Sequence, residues 1–279
     1  MRILKIIVLM VVATSFVSCK TKELSVMTYN IRLDVASDGE NAWPKRSNFL
    51  ISQVLFLAPD IMGVQEARPN QIKDLNEVLV DYSFIGKGRD GDNKGEFSAI
   101  YYNTKKLKVD KVDTFWLSTT PDKISKGWDA AYPRICTYGL FTFLKTGEQF
   151  WMFNTHLDHK GTEAQKEGMK LILEQIKKVN TKKLPVILSG DFNVEPNSEL
   201  IQNLKNEMLD SKENAEIKFG SDGTFNGFQY SEPVTRRIDY IFFSESSKIS
   251  AQKYGVLSSA VDFKFPSDHF PVFVKFSLK

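Results

Sequence analysis

Apolar and polar positions along the chain change period several times, and each change marks an element boundary. Residues 24–32 alternate into Met27-Thr28-Tyr29-Asn30-Ile31-Arg32, the two-residue period of a strand. Residues 60–66 and 97–102 are short apolar runs that predict two more strands, the first closing on Gln65-Glu66. Between the first two strands, Phe49, Leu50, Val54 and Leu57 recur at helical spacing across residues 46–57 until Pro59 stops them. Residues 70–80 repeat that spacing. The first half therefore predicts strand, helix, strand, helix, then strands.

Residues 83–97 hold Gly86, Gly88, Gly91 and Gly95 among charged residues and predict a mobile polar loop. Their spacing fits neither the dinucleotide fingerprint nor the Walker sequence, and no helical pattern follows. Residues 114–134, with Trp116, Pro121, Trp128 and Pro133, predict a long folded loop near a site, because structureless loops of that length are uncommon in compact domains. Residues 136–144 and 149–157 predict a hairpin around Thr146-Gly147, and residues 161–179 the longest helix. Residues 185–193, from Pro185 to Asn193, read as a buried strand that delivers Asp191 and Asn193 to its carboxyl end, facing one side. A helix over 197–206 and strands over 236–243 and 271–278 complete the pattern.

The N-terminus behaves differently. Arg2 and Lys5 precede an apolar run over residues 6–17, too short to span a bilayer and shaped like a signal peptide. It ends at Ser18-Cys19, which resembles a bacterial lipobox; ordinary secretion with cleavage near Ser18 is the other reading. The expected organisation is a leader at 1–18, a tether at 19–23 and one domain at 24–279, exported and lipid-anchored to a bacterial membrane of the cell envelope. With Cys19 lipidated, Cys136 has no partner, which excludes a disulfide framework. Stability must then come from the core, and 42% hydrophobic residues suffice for a single one. The chain has 37 basic and 34 acidic residues; loss of Arg2 and Lys5 leaves 35 against 34. So small a surplus argues against a long nucleic-acid duplex as substrate.

Polar groups suited to catalysis collect at the ends of these strands: Asn30, Glu66, His156, Asp191, Asn193, Asp239 and Asp268-His269. Carboxylates and carboxamides without clustered cysteines are hard oxygen donors, suited to Mg²⁺ or Mn²⁺ rather than structural zinc. Imidazoles near neutrality move protons. Loop clusters at 38–43, 88–90 and 126–134 carry Trp, Arg and acidic residues that can rim a site.

In order and context these motifs resemble the endonuclease/exonuclease/phosphatase family, which includes deoxyribonuclease I, exonuclease III, the abasic-site endonucleases, neutral sphingomyelinases, inositol polyphosphate 5-phosphatases and poly(A) deadenylases. The resemblance spans residues 24–276. It implies an α/β fold of two packed mixed β-sheets flanked by helices, a four-layer sandwich. It implies Glu66 as the principal metal ligand with Asn30 and Asp268 near the metal, Asp191 and Asn193 acting on the attacking water, and Asp239 with His269 as a dyad beside the scissile phosphate. His156 is similar to a second phosphate-contacting imidazole, supported by a glutamate in the place of Glu96. Where abasic-site enzymes have an acid, this chain has Arg32, which offers a guanidinium to a phosphate oxygen, as does Arg134. The loops look like those of secreted bacterial members distantly similar to deadenylases. The expected function is thus a Mg²⁺-dependent phosphoester hydrolase, monomeric, with a nuclease as first choice. The alternatives are a phosphatase or sphingomyelinase-type phospholipase on a sugar, inositide or lipid, and a catalytically silent binding protein.

Overall fold

A computed structural model describes residues 22–246 and 248–278. The expected leader and the lipid site at Cys19 lie outside the described residues. The expected tether is shorter at its far end: Lys22 and Glu23 already pair with Leu278 and Ser277. Their charge hid this, because a ladder forms through backbone groups and tolerates solvated side chains at a strand's start.

Numbered in chain order, strand β1 (Lys22–Asn30) is buried on both faces: Leu24 and Val26 point one way, Met27 and Tyr29 the other. It lies parallel to β2 (Ile61–Ala67) and antiparallel to β13 (Val272–Leu278). Outside them, β4 (Phe97–Asn103) and β3 (Tyr82–Ile85) extend one side, and β12 (Ile249–Val256) and β10 (Ile217–Gly220) the other, in the order β10-β12-β13-β1-β2-β4-β3. A second sheet has β5 (Leu107–Trp116), β6 (Ile135–Phe143), β7 (Gln149–His156), β8 (Val186–Asp191), β11 (Asp239–Phe243) and β9 (Leu209–Asp210), in the order β5-β6-β7-β8-β11-β9.

Three apolar clusters define four layers. Val26, Ile61, Ile100, Phe141, Met152 and Ile241 fill the space between the sheets. Helices α1 (Trp43–Leu57) and α2 (Pro69–Val78) press Trp43, Leu50, Val54 and Leu75 onto the outer face of the first sheet. Helices α3 (Thr162–Val179) and α4 (Glu199–Leu204) do the same for the second through Met169, Ile172, Ile201 and Leu204. The four-layer α/β sandwich expected from the sequence is the observed fold. A short α5 (Ser211–Asn214) follows β9.

Polar side chains also cross between the sheets. Asn154, fully buried, donates to the Val64 and Ala99 carbonyls at 3.0 and 2.9 Å and accepts from Gln65 Nε2 at 2.7 Å. A Cβ on Gly63 would meet Asn154 Oδ1 at 2.5 Å, so only glycine lets the sheets approach this closely.

Strands β3, β5 and β12 carry no clear sequence pattern. β5 runs Leu-Lys-Val-Asp-Lys-Val-Asp along a sheet edge and is largely exposed there, so its charges are solvated and alternation is lost. Residues 83–97 are not one loop: β3 takes the first part, and the rest folds back through Arg89 N–H to the Glu96 carbonyl at 2.9 Å.

Candidate active site

The topology brings the expected residues to one rim. Parallel β1 and β2 end there with Asn30 and Glu66, and parallel β7 and β8 end there with His156 and Asp191. Their antiparallel neighbours begin there: Glu96 directly precedes β4, Arg134 precedes β6, Asp239 opens β11, and Asp268-His269 lead into β13. A cleft of about 570 Å³ opens on this rim, lined by Arg32, Glu66, Glu96, Arg134, His156, Asp191, Asn193, Asp268 and His269 among others. Asn30 and Asp239 lie buried beneath its floor.

Local backbone aims these groups. Arg32, Glu66 and Asn193 all take the left-handed conformation, with φ of 55°, 64° and 55°. Such angles are costly for residues with a Cβ, and they cluster at sites where geometry outranks local comfort. At Glu66 the pairing of β2 with β4 shifts register between Val64 and Ala67, a bulge that turns the carboxylate toward the cleft. Gly190 sets Asp191: a Cβ there would lie 2.0 Å from the Thr155 carbonyl oxygen.

The hydrogen bonds form one connected set. Asn30 Nδ2 donates to Glu66 Oε1 at 3.1 Å and to Asp191 Oδ2 at 2.9 Å. Glu66 Oε2 accepts from the Leu33 N–H at 3.0 Å. Asp191 Oδ1 accepts from the Asn193 N–H at 2.9 Å, and Asn193 Nδ2 lies 3.0 Å from His156 Nε2. On the far side His269 Nδ1 meets Asp239 Oδ2 at 2.9 Å while its Nε2 faces Asp191 Oδ2 at 3.7 Å.

Burial and charge push the two imidazoles apart. Burial, with the cationic field of Arg134 and His269, holds His156 well below its ordinary 6.5, so it is neutral at pH 7. Burial also pulls on His269, but the Asp239 and Asp191 carboxylates outweigh it and lift the ring to about 10. Asp191 is pushed up to about 7 by burial first and by Asp239 second. Burial also raises Asp268. A neutral ring and a charged ring flank one carboxylate, the pattern by which a site assigns proton acceptor and proton donor.

Several expected roles look different in place. Glu96 pairs with Arg89, Oε1 to Nη2 at 2.8 Å, and makes no hydrogen bond to His156. The expected support of His156 by Glu96 is therefore replaced by Asn193, because the Arg89 guanidinium is the nearer charge-assisted partner. Asn30 turns its amide N–H groups to the acids and its oxygen to the Arg32 N–H at 3.0 Å, so it orients both carboxylates. Arg32 is held by Asp38 at 2.9 Å through both Nε and Nη2 and reaches Asp268 only at 3.8 Å. Arg134, buried, bonds Asp158 at 3.2 Å and lies 3.1 Å from His159 Nδ1.

Residues that the sequence reading passed over also line the cleft: Arg68, His159, Phe225 and Arg236. Asp158 stands behind them, accepting from the N–H groups of Ala131, Lys160 and Gly161 as well as from Arg134. Those bonds overcome its burial and hold its carboxyl well below the usual range. Asp158 and His159 follow the strand end at His156 by two and three residues, the same signal that marked the others.

The donors fit a hard divalent cation. Asp191, Asp239 and His269 bring polar atoms within 4.8 Å of one another, but the His269 ring is protonated and bound to Asp239, so this trio serves proton transfer and the cation's donors lie beside it. Glu66 and Asp268 supply those carboxylates on the cleft side.

The profile of the Endonuclease/Exonuclease/phosphatase family matches residues 27–269. A mannosyl-6-phosphatase of Bacteroides thetaiotaomicron is 40% identical, with a TM-score of 0.86 over 91% of this chain and 99% of that one. A second protein of that organism, an endonuclease/exonuclease/phosphatase family member, is 38% identical with a TM-score of 0.88, over 93% and 99% of the two chains. The curated protein angel of Drosophila melanogaster is 25% identical over 228 residues, 74% of this chain. The chain spans 60% of the length of that curated relative.

Proposed function

The chain belongs to the endonuclease/exonuclease/phosphatase family and is a phosphoester hydrolase, and from that premise we propose that it removes phosphate from phosphorylated sugars with the help of Mg²⁺ or Mn²⁺. The observation that carries the reading is Asp191, placed between a neutral His156 and a protonated His269 on the floor of one cleft. The 40% identity to a mannosyl-6-phosphatase supports a sugar as the leaving group.

Glu66 and Asp268 would hold the cation, which supplies neutralisation of a non-bridging phosphate oxygen. Asp191 takes the proton of the attacking water, steadied by Asn30 and the Asn193 N–H. His269, oriented by Asp239 through Nδ1, presents a proton at Nε2 to the departing sugar oxygen. Each proton transfer is typically worth about 10²- to 10⁴-fold.

A nucleic acid phosphodiester is the second reading. Tyr132, half exposed, stacks on His159 at 6.0 Å beneath Arg89, an assembly that can also bracket a base. Mannose 6-phosphate, bis(p-nitrophenyl) phosphate, sphingomyelin and a ribonucleotide oligomer, each with and without Mg²⁺, separate the readings. Metal-dependent turnover of the sugar phosphate above the rest is expected; cleavage of the oligomer alone would transfer the case to a nuclease. Residues 1–19 support export with a lipid on Cys19, which palmitate labelling of the wild type and Cys19→Ala tests.

A further inference from the structure

Beside the cleft stands an aromatic group that the chemistry above does not use. Residues 261–264 close a tight turn, Val261 N–H to the Lys264 carbonyl at 3.1 Å and Lys264 N–H to the Val261 carbonyl at 2.9 Å. Both central residues, Asp262 and Phe263, are left-handed, with φ of 49° and 60°. Glycine or asparagine is the usual occupant of such positions, yet here a phenylalanine is held in the strained conformation with 77% of its surface exposed. Tyr230, 46% exposed, packs edge-on against it at 5.1 Å and rests on Phe265, which packs on core residue Phe270.

The loop that carries Tyr230 starts in the cleft, where Phe225 lines the wall and packs edge-on against His269 at 5.0 Å. The loop bearing Tyr230 hangs on the backbone of Asp268, whose carbonyl accepts the N–H groups of Asn226 and Gly227 at 2.8 and 3.0 Å. The turn is tied across the rim by Lys264 to Glu40 at 3.3 Å, two residues beyond the Asp38 that holds Arg32. Tyr230 and Phe263 thus lie outside the cleft lining, on the loop and turn tied to its Asp268 and Glu40 side, where only a substrate longer than one sugar unit can reach them.

Resting on the sugar-phosphatase reading, we propose that the substrate is a phosphorylated oligosaccharide rather than a free sugar phosphate, and that Phe263 and Tyr230 form the subsite that stacks its neutral, non-phosphorylated residues. Local charge favours a neutral chain over a nucleic acid. Among the described residues Asp262 and Glu232 have no cationic partner, while Lys264 and Lys45 are both engaged by Glu40. A polyanion would face unpaired carboxylates at this platform. Aromatic rings, by contrast, cover the apolar faces of pyranose rings without requiring charge.

The test compares wild type with Phe263→Gly, which suits the left-handed backbone, and Phe263→Tyr, which keeps the ring. The substrates are mannose 6-phosphate and a mannose trisaccharide carrying the same terminal 6-phosphate. Phe263→Gly is expected to raise KM for the trisaccharide about tenfold, the size of one lost stacking contact, with kcat and all mannose 6-phosphate parameters unchanged. Phe263→Tyr is expected to restore it. Calorimetry with the unphosphorylated trisaccharide reads the platform without the chemistry: wild type binds, and Phe263→Gly binds about tenfold more weakly. Equal effects on the two phosphorylated substrates, or no binding of the neutral trisaccharide, would overturn the subsite. Phe263-dependent binding of a ribonucleotide oligomer in its place would overturn the saccharide assignment. Absence of turnover on mannose 6-phosphate would strike the phosphatase reading, while the calorimetry still decides the platform.

Discussion

Asn30 Nδ2 donates to Asp191 Oδ2 at 2.9 Å across the gap between the two sheets, joining residues 161 positions apart. The same nitrogen donates to Glu66. One buried amide thus fixes the spacing between the carboxylate expected to hold a cation and the carboxylate expected to take a proton. Asn30→Ala leaves both acids without their shared donor. We expect kcat/KM for metal-dependent phosphate release to fall by about 10²-fold or more with the fold retained, checked by steady-state kinetics beside circular dichroism.

Stability should depend on pH through His156. The unfolded chain takes up a proton at this residue below about 6.5, whereas the folded chain, with the ring buried near Arg134, resists protonation until well below that value. Unfolded molecules therefore bind more protons in that window, and stability falls as pH falls through it, by up to about 1.4 kcal/mol per pH unit. His156→Gln lacks this term. Denaturant unfolding from pH 7 to pH 5 should show the variant gaining on wild type as pH drops; parallel curves would mean that the ring is not held neutral.

Asp158 acts at one remove, through Arg134 and the backbone of the 130–134 segment. Asp158→Asn keeps the size but loses the charge that anchors the guanidinium, and an amide cannot accept from all its donors at once. The expected effect is a rise in KM of about tenfold with kcat little changed, because Arg134 shapes the cleft wall and not the proton path. A loss confined to kcat would contradict that division.

Close packing under the site predicts a stability effect that sequence alone did not suggest. Gly190→Ala would place a Cβ 2.0 Å from the Thr155 carbonyl oxygen in the β7/β8 pair, and backbone cannot yield there without moving His156 and Asp191. A cost of about 3 kcal/mol is expected, read as a lowered denaturation midpoint with unchanged slope.

How far the chain was readable follows from where each residue's signal lies. Asn30, Glu66, His156, Asp191 and Asp239 announced themselves because each interrupts an apolar run at its end, and a polar residue at the end of a buried strand stands out against its neighbours. Their meeting at one rim follows from strand direction, which no local window contains. The partner of Glu96 was not legible: Arg89 lies seven residues away in a glycine-rich segment whose return path depends on backbone bonds. Strand β5 escaped notice because its edge position leaves charged side chains solvated on both faces, and β12 because a register shift between Ala251 and Lys253 breaks the two-residue period that marks a half-buried strand. The turn at Phe263 was invisible for the opposite reason, since its residue type contradicts its backbone.

The most direct measurement is Mg²⁺-dependent phosphate release from mannose 6-phosphate by Glu66→Gln and Asp191→Asn, singly and combined. Groups that act as one unit lose their contribution together. Each single variant is expected to fall at least about 10²-fold, and the double variant no lower than the weaker single one. Singles that keep activity within a few-fold of wild type would contradict a shared reaction centre in this cleft, as would losses that simply multiply.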